Sequence, residues 1–270
     1  MRALLNTVPS VVLLVLVLAA TLAVIVAAVW SVRRAVPSTR QGFHAEVSAP
    51  MLGTVAALFG LLLGFVIVIA YQNYLDARGN VSREADSLAS IVRDSNAFPP
   101  RDGARVRAAV GAYVRAVTDK EWPRMRNGHD SPAASRALNH VVIALQATNA
   151  SSPRAASFYH DSVTQLDDAL VARRDRLETA TGGLPWELTA LIVFSALVIL
   201  GYALLVGSTH FWFHALGPAS IAVVIAFSLV VLFDLSYPFS GDVTISSHPY
   251  KTGVLAQFYR PHRTADLSKT

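Results

Sequence analysis

His210 and His214 stand one helical turn apart, a spacing that can bring two imidazoles onto one metal ion. No glutamate follows His210 in a His-Glu-x-x-His arrangement and no third ligand is close in sequence, so no metal is expected. Aromatic packing with Phe211, Trp212 and Phe213 at a membrane interface is the preferred account of the pair. Asp234 ends an apolar run in Phe233-Asp234-Leu235-Ser236-Tyr237-Pro238-Phe239-Ser240-Gly241-Asp242. A carboxylate at that depth is costly unless it is paired or reaches water. Two readings stand: a structural salt bridge or cap, with Arg78 or another arginine of the polar segment as partner, and ion binding. Asp242, after Pro-Phe-Ser-Gly, shapes a turn. There is no Gly-rich phosphate loop, no nucleophile elbow and no pair of carboxylates in an apolar setting, so no catalytic residue, cofactor or enzymatic activity is expected. Arg101, Arg105, Arg107, Arg115, Arg124 and Arg126 alternate with acids and apolar positions. They read as solvated helix surface, with an anion-attracting vestibule as the alternative.

The elements that position these residues are set by composition. The 270 residues are 53% hydrophobic and 15% charged, with a mean hydropathy of +0.43; an ordinary soluble domain carries about a quarter charged residues. The charges are segregated and leave four long windows almost without them. This predicts an all-α integral membrane protein: four transmembrane helices with a helical insert between the second and third spans. Val11–Trp30 is broken only by Thr21 and, at about 1.5 Å per residue, matches a hydrocarbon core of about 30 Å. A cleaved signal peptide would have a shorter apolar stretch behind a clearly basic start, and only Arg2 precedes this one. The expected order is an N-terminal segment 1–10, a hairpin 11–71 with spans 11–30 and 51–71, and an insert 72–185. A second hairpin, 186–235, with spans 188–206 and 211–235, and a polar tail 236–270 complete it. Trp30, Tyr71, Trp186 and Trp212 are placed as interfacial anchors, and the lipid bilayer as the first partner.

Within the insert, apolar residues recur at helical spacing and give four helices. They are marked by Val81, Ala85, Leu88 and Val92; by Val106, Val110, Tyr113 and Val117; by Leu138, Val142 and Leu145; and by Phe158, Val163, Leu166, Leu170 and Leu177. Breaks fall at Phe98-Pro99-Pro100, Asn127-Gly128 and Ser151-Ser152-Pro153, the last a serine cap before a proline at the first helical position. No breaker separates Tyr71 from Val81, so the second span is expected to run on into the insert. Arg2, Arg78, Arg83, Arg173, Arg174, Arg176 and Lys251 flank the spans on the insert side, against Arg33, Arg34 and Arg40 on the other. That bias favours the insert and both termini on the cytoplasmic side of the membrane, taken as a bacterial inner membrane, although the first span alone votes the other way. Of the 23 basic residues only Lys120, Lys251 and Lys269 are lysines, a compositional bias; no nucleic-acid partner is expected. With no cysteine, disulfides and thiolate chemistry are excluded and the redox compartment stays open.

The second span holds two adjacent stripes. Ala56, Gly60 and Gly64, at four-residue spacing, let another helix backbone approach closely. One position along, Ala57, Leu61 and Phe65 rise in bulk, and in a ring of identical subunits they form an apolar constriction that gates by dewetting. The segment resembles the second span of the bestrophin channels in Leu63-Gly64-Phe65, Ala70-Tyr71, Tyr74 and Asp76-Ala77-Arg78. From Leu52 to Phe258 the chain is similar to the bacterial and plant proteins described as bestrophin-like (the DUF4239 family). The shared features are Tyr71, Asp76, Ala77-Arg78, Glu84-Ala85 and Arg93 at the front, and Asp234 with Pro238-Phe239-Ser240-Gly241 at the back. The resemblance implies a homo-oligomer, a pentamer, whose second spans line a path for inorganic anions through a neck of Phe65, Leu61 and Ala57. Val66 stands where many bacterial bestrophins carry an arginine, and Ala57 replaces a bulkier neck residue. The function expected is an oligomeric ion channel, selective for anions. The alternative is a membrane sensor or scaffold whose insert binds a ligand or partner protein. A transporter ranks third, because the span centres lack charge.

Overall fold

The computed structural model describes residues 9–35, 38–205, 211–241 and 244–259. The expected end of the third span at Val206, the Gly207–His210 turn, the turn at Asp242 and both chain termini lie outside them. Helices dominate: α1 (Ser10–Ala35), α2 (Ser38–Asp94), α3 (Pro100–Ala116), α4 (Trp122–Met125), α5 (Pro132–Gln146), α6 (Pro153–Thr181), α7 (Trp186–Leu205) and α8 (Phe211–Ser236). Four stretches are long and apolar enough to cross a membrane, with their apolar cores in α1, α2, α7 and α8. The fold is the all-α, four-span architecture that the apolar windows predicted. The chain divides into two compact units, one built from residues 1–74, 183–237 and 241–243, the other from 75–182, 238–240 and 244–270.

In the first unit one face of α2, with Phe59, Leu63, Val66 and Ala70, packs on Ile192, Ala196 and Ile199 of α7 and Ile225 and Leu232 of α8. α1 seats Ile25 and Val29 against Ala215 and Ala222 of α8. Gly183, where the chain enters α7, lies under the Tyr237 ring, whose hydroxyl would stand 2.9 Å from a Cβ there. One expectation is corrected here. The second span is expected to begin at residue 51, but α2 already starts at Ser38 and runs through Pro50. A proline removes one i→i−4 bond and need not end the helix on either side, and the Thr54 hydroxyl donates to the Pro50 carbonyl at 3.3 Å.

The second unit is the insert. Val81, Ala85, Leu88 and Val92 of α2 are buried in this unit, as are Val106, Val110 and Tyr113 of α3. Pro100 opens α3, and Ser152 caps α6, its Oγ accepting from the Ala155 N–H at 3.1 Å. Gly128 turns the chain after α4 at φ 75°, a left-handed conformation that glycine adopts without a Cβ penalty. Two features depart from expectation. The buried face of α6 is Ala155, Ser162, Leu166, Ala169, Ala172, Arg176 and Ala180, displaced from the Leu170 side of the helix, because small residues there leave room for an arginine. The described residues after Tyr237 do not form a free polar tail: Phe239, Ile245, Tyr250 and Leu255 are buried in the second unit. Phe258 occupies the space where a Cβ on Gly111 would stand 2.6 Å from its ring. Since 75–182 and 244–259 share one core, they lie on the same side of a bilayer, as two crossings between them require.

Candidate functional site

The neck residues of the first unit stand on the free side of α2. Leu61 is 60% exposed and Phe65 62%, while Leu63 and Val66 on the reverse face are 6% and 4%. Successive residues advance about 100° around a helix, which puts Ala57, Leu61, Phe65, Val68 and Gln72 opposite Phe59, Leu63, Val66 and Ala70. Among the described residues Leu61 and Phe65 of that row stay exposed. Among the described residues Gly60 and Gly64 have nothing within 4 Å of an added Cβ, while Ala56 is half-buried.

The second unit contains a charged cluster that contradicts the expectation of no carboxylate pair in an apolar setting. Arg176 of α6 is fully enclosed, as are the side chains of Glu84 on α2 and Glu121. The Arg176 Nε donates to Glu84 Oε2 at 2.8 Å, and its Nη2 to Glu121 Oε1 at 2.8 Å and Glu84 Oε1 at 3.3 Å. Its Nη1 donates to Met125 Sδ at 2.7 Å. Arg173, one turn earlier, donates to Glu121 Oε2 at 2.6 Å and to the Ser135 hydroxyl at 3.0 Å. The Tyr113 hydroxyl donates to Glu84 Oε1 at 2.5 Å. Two carboxylates and two guanidiniums balance, which is how buried charge is tolerated. The guanidinium of Arg176 also lies 5.4 Å from the Trp122 ring centre and 6.0 Å from that of Tyr250, at cation–π range.

Local backbone explains how Glu121 reaches this interior. Val117–Glu121 is a π-helical segment between α3 and α4, and Pro123 follows it. In an unbroken α-helix the ring of Pro123 would clash with the Asp119 carbonyl; the wider π turn relieves that clash, and such turns re-aim side chains. Trp122 thereby meets Tyr250 and Phe239 edge-on at 5.7 and 5.8 Å, and its Nε1 donates to the Ile245 carbonyl at 3.3 Å.

Burial alone would raise the Glu121 carboxyl, but the Arg176 charge and the Arg173 hydrogen bond outweigh it and hold the group below the usual carboxylate range. Burial, reinforced by the Glu84 charge, pushes the Tyr113 hydroxyl well above the ordinary tyrosine value; Tyr250 rises too, burial first, against the opposing Arg176 charge. Burial lowers the guanidiniums of Arg173 and Arg176, but their carboxylate partners prevail and both end above the ordinary arginine value. Glu121, Arg173 and Arg176 are therefore charged at neutral pH and neutralise one another within the insert, an arrangement that ties α6 to the segment before α4.

The other sequence-marked residues divide by unit. Tyr71 is exposed on α2, and Asp76 and Arg78 are exposed on its continuation. Glu84 is in the cluster; Phe239 meets the Trp122 ring, the Pro238 carbonyl accepts from the Ile245 N–H at 2.9 Å, and Gly241 adopts φ 77°. Asp234 is half-buried in the last turn of α8. His214 is buried, with Nε2 3.1 Å from the Leu204 carbonyl oxygen, while His210 lies outside the described residues. Among the described residues no group of three acids and histidines could hold a metal. Arg101, Arg105, Arg115, Arg124 and Arg126 are exposed and Arg107 half-buried. Sequence reasoning passed over Glu121, Trp122, Arg173, Arg176 and Tyr250 as interior groups. The visible signal was Trp122-Pro123 in mid-helix, together with an arginine falling in phase with Leu166, Ala169 and Ala180.

Comparison with known proteins follows this geometry. The sequence matches the model of the Bestrophin-like domain over residues 19–250. No curated protein matches it. Among solved structures, a point-mutant form of the bacterial bestrophin homologue from Klebsiella pneumoniae superposes with a TM-score of 0.67 at 12% identity, covering 92% of this chain and 99% of that one. A second mutant form gives 0.66 at 14% identity, with 91% and 97% coverage. A third structure of the same homologue gives 0.65 at 12%, with 90% and 95% coverage. Four spans, a helical insert closed by the segment after the last span, and a domain match over most of the length agree: this chain is a multi-pass membrane protein of the Bestrophin-like family.

Proposed function

We propose that the protein is a homo-oligomeric ion channel in which the α2 helices of several copies, five if the family resemblance holds throughout, surround a central path. The observation that carries this reading is the two-sidedness of α2. Its Phe59, Leu63, Val66 and Ala70 face is used up inside the chain, whereas Ala57, Leu61 and Phe65 are left outward. Turned toward an axis, that row makes an apolar neck unfavourable for water and ions. Anions are the proposed cargo: Arg78 and Arg83, exposed on α2 beyond the span, and the net charge of +5 favour them electrostatically. The insert is proposed to face the cytoplasm of a bacterial cell, on the balance of flanking arginines.

The test is the Leu61→Ala, Phe65→Ala double variant in reconstituted vesicles. Shrinking both side chains should widen and wet the neck and raise anion flux while the oligomer persists. Were they core residues, truncation would cost about 2–5 kcal/mol each with no gain in flux. Reduced oligomer yield with unchanged conductance would overturn the assignment.

A further inference from the structure

Between α1, α7 and α8 the first unit leaves an open cleft of about 390 Å³, bordered by Leu13, Val17 and Thr21 of α1, Leu197 of α7, and Ala226 and Phe233 of α8. It exists because the facing positions are small. Ala196, Ala222 and Ala226 send no bulk into the gap, while α1 is seated on α8 farther along, through Ile25 and Val29. The Thr21 hydroxyl is the sole polar side-chain group on the lining. Water needs two to four polar partners to settle in a cavity and finds none of that order here. An empty cleft forfeits the dispersion contacts of its walls. The bordering residues lie in stretches that cross the bilayer, and Val193 and Leu197 at the mouth are 43% and 64% exposed, so the medium outside the mouth is hydrocarbon.

We infer that this cleft is a binding site for one acyl chain of a membrane phospholipid. An unbranched chain enters sideways between α1 and α7 without leaving the apolar layer, and it supplies the contacts that the three alanines do not. Its headgroup stays at the level of Leu13 and Phe233, where the cleft approaches the helix ends. The bound chain acts as a wedge that supports the N-terminal half of α1, which the Ile25 and Val29 contact does not reach. This inference does not depend on ion conduction.

The experiment uses the full chain in vesicles of phosphatidylcholine and phosphatidylglycerol containing a small share of phospholipid with a photoreactive diazirine in its acyl chain. After photolysis, labelled positions are mapped by peptide mass. The cleft residues Thr21, Leu200 and Ala226 should carry several-fold more label than Phe194 and Leu216, each 66% exposed, which sample passing lipid. Ala226→Phe, which fills the cleft, and Leu197→Trp, which obstructs its mouth at an exposed position, should each lower that label several-fold. Equal labelling of cleft and outer positions would overturn the inference, as would label unchanged in the folded variants. A cleft that takes no label is filled by protein, a second copy of the chain, and overturns it equally. Should Ala226→Phe fail to fold, Leu197→Trp and the map of the unaltered chain decide the matter.

Discussion

Replacing Arg176 by methionine removes the centre of the charged cluster while keeping much of its volume. In the folded protein the guanidinium donates four hydrogen bonds, three to carboxylate oxygens and one to Met125. After the change Glu121 keeps Arg173 and the Ser131 N–H, but Glu84 loses its guanidinium and keeps neutral partners such as the Tyr113 hydroxyl. The interior then holds one uncompensated negative charge, centred on Glu84. Removing one partner of a buried pair costs about 3–5 kcal/mol, and the lost cation–π contacts with Trp122 and Tyr250 add about 0.5–2 kcal/mol; the stranded charge is the larger effect. Trp122, the one of the four tryptophans that lies in the insert unit, reports unfolding in a urea titration of the detergent-solubilised protein. Arg176→Met should lower its midpoint sharply. Adding Glu84→Gln should return part of the loss, with a coupling of at least about 1 kcal/mol, because it neutralises the stranded charge. A single-variant loss below about 1 kcal/mol would place the cluster among ordinary surface pairs and refute the reasoning, and so would a second substitution whose cost simply adds to the first.

Glu121 titrates below its ordinary value of about 4.5 when folded, so the stability it supplies is present above that value and lost as pH falls through the folded pKa. Melting temperatures should hold steady from neutral pH down to about 5 and fall below about 4.5, with a shallower acid limb in Glu121→Gln. The raised tyrosines have the opposite sign: stability present below about 10 is lost as pH climbs beyond it, and Tyr113→Phe should soften that alkaline loss. Gly111→Ala should push Phe258 off α3 and expose the segment after α8 to limited proteolysis, while Phe258→Ala in the same chain should restore protection; protease resistance of the single variant would contradict the contact. Reporters fused after Thr270 should register cytoplasm, and an extracytoplasmic signal would overturn the proposed orientation.

The spans were legible because each is an apolar run long enough to cross a hydrocarbon core, and α2 was readable as continuous because nothing between Tyr71 and Val81 stops a helix. The Val81–Val92 and Val106–Val117 faces obeyed a simple period and are buried where expected. Arg173 and Arg176 were not legible as core, because a charge on a helix is solvated unless distant residues enclose it; Glu84 lies 92 positions away in sequence. The π segment depends on one proline whose effect is local, but whose consequence, the inward turn of Glu121, appears only once α6 is in place. In the last segment, Phe239, Ile245, Tyr250 and Leu255 are isolated among polar residues with no period, so their burial has no one-dimensional signature. The outward row of α2 was visible as a pattern; what the pattern left open was which side the chain itself would cover.

The docking of residues 244–259 onto the insert also sets a schedule for biosynthesis. Residues 75–182 leave the ribosome before α7 and α8 have been made, and domains begin folding as they emerge. Yet the second ring over Arg176, that of Tyr250, and the cover over Gly111, Phe258, arrive only after both later spans. The insert must wait with one wall open, and its interior closes only when the chain has crossed the bilayer twice more and returned to the same side. A transcript truncated after Tyr237 would thus produce a protein with all four spans inserted and an unfinished soluble core, which quality-control proteases can recognise. Completion of the extramembrane fold thus requires that both later spans be in place first.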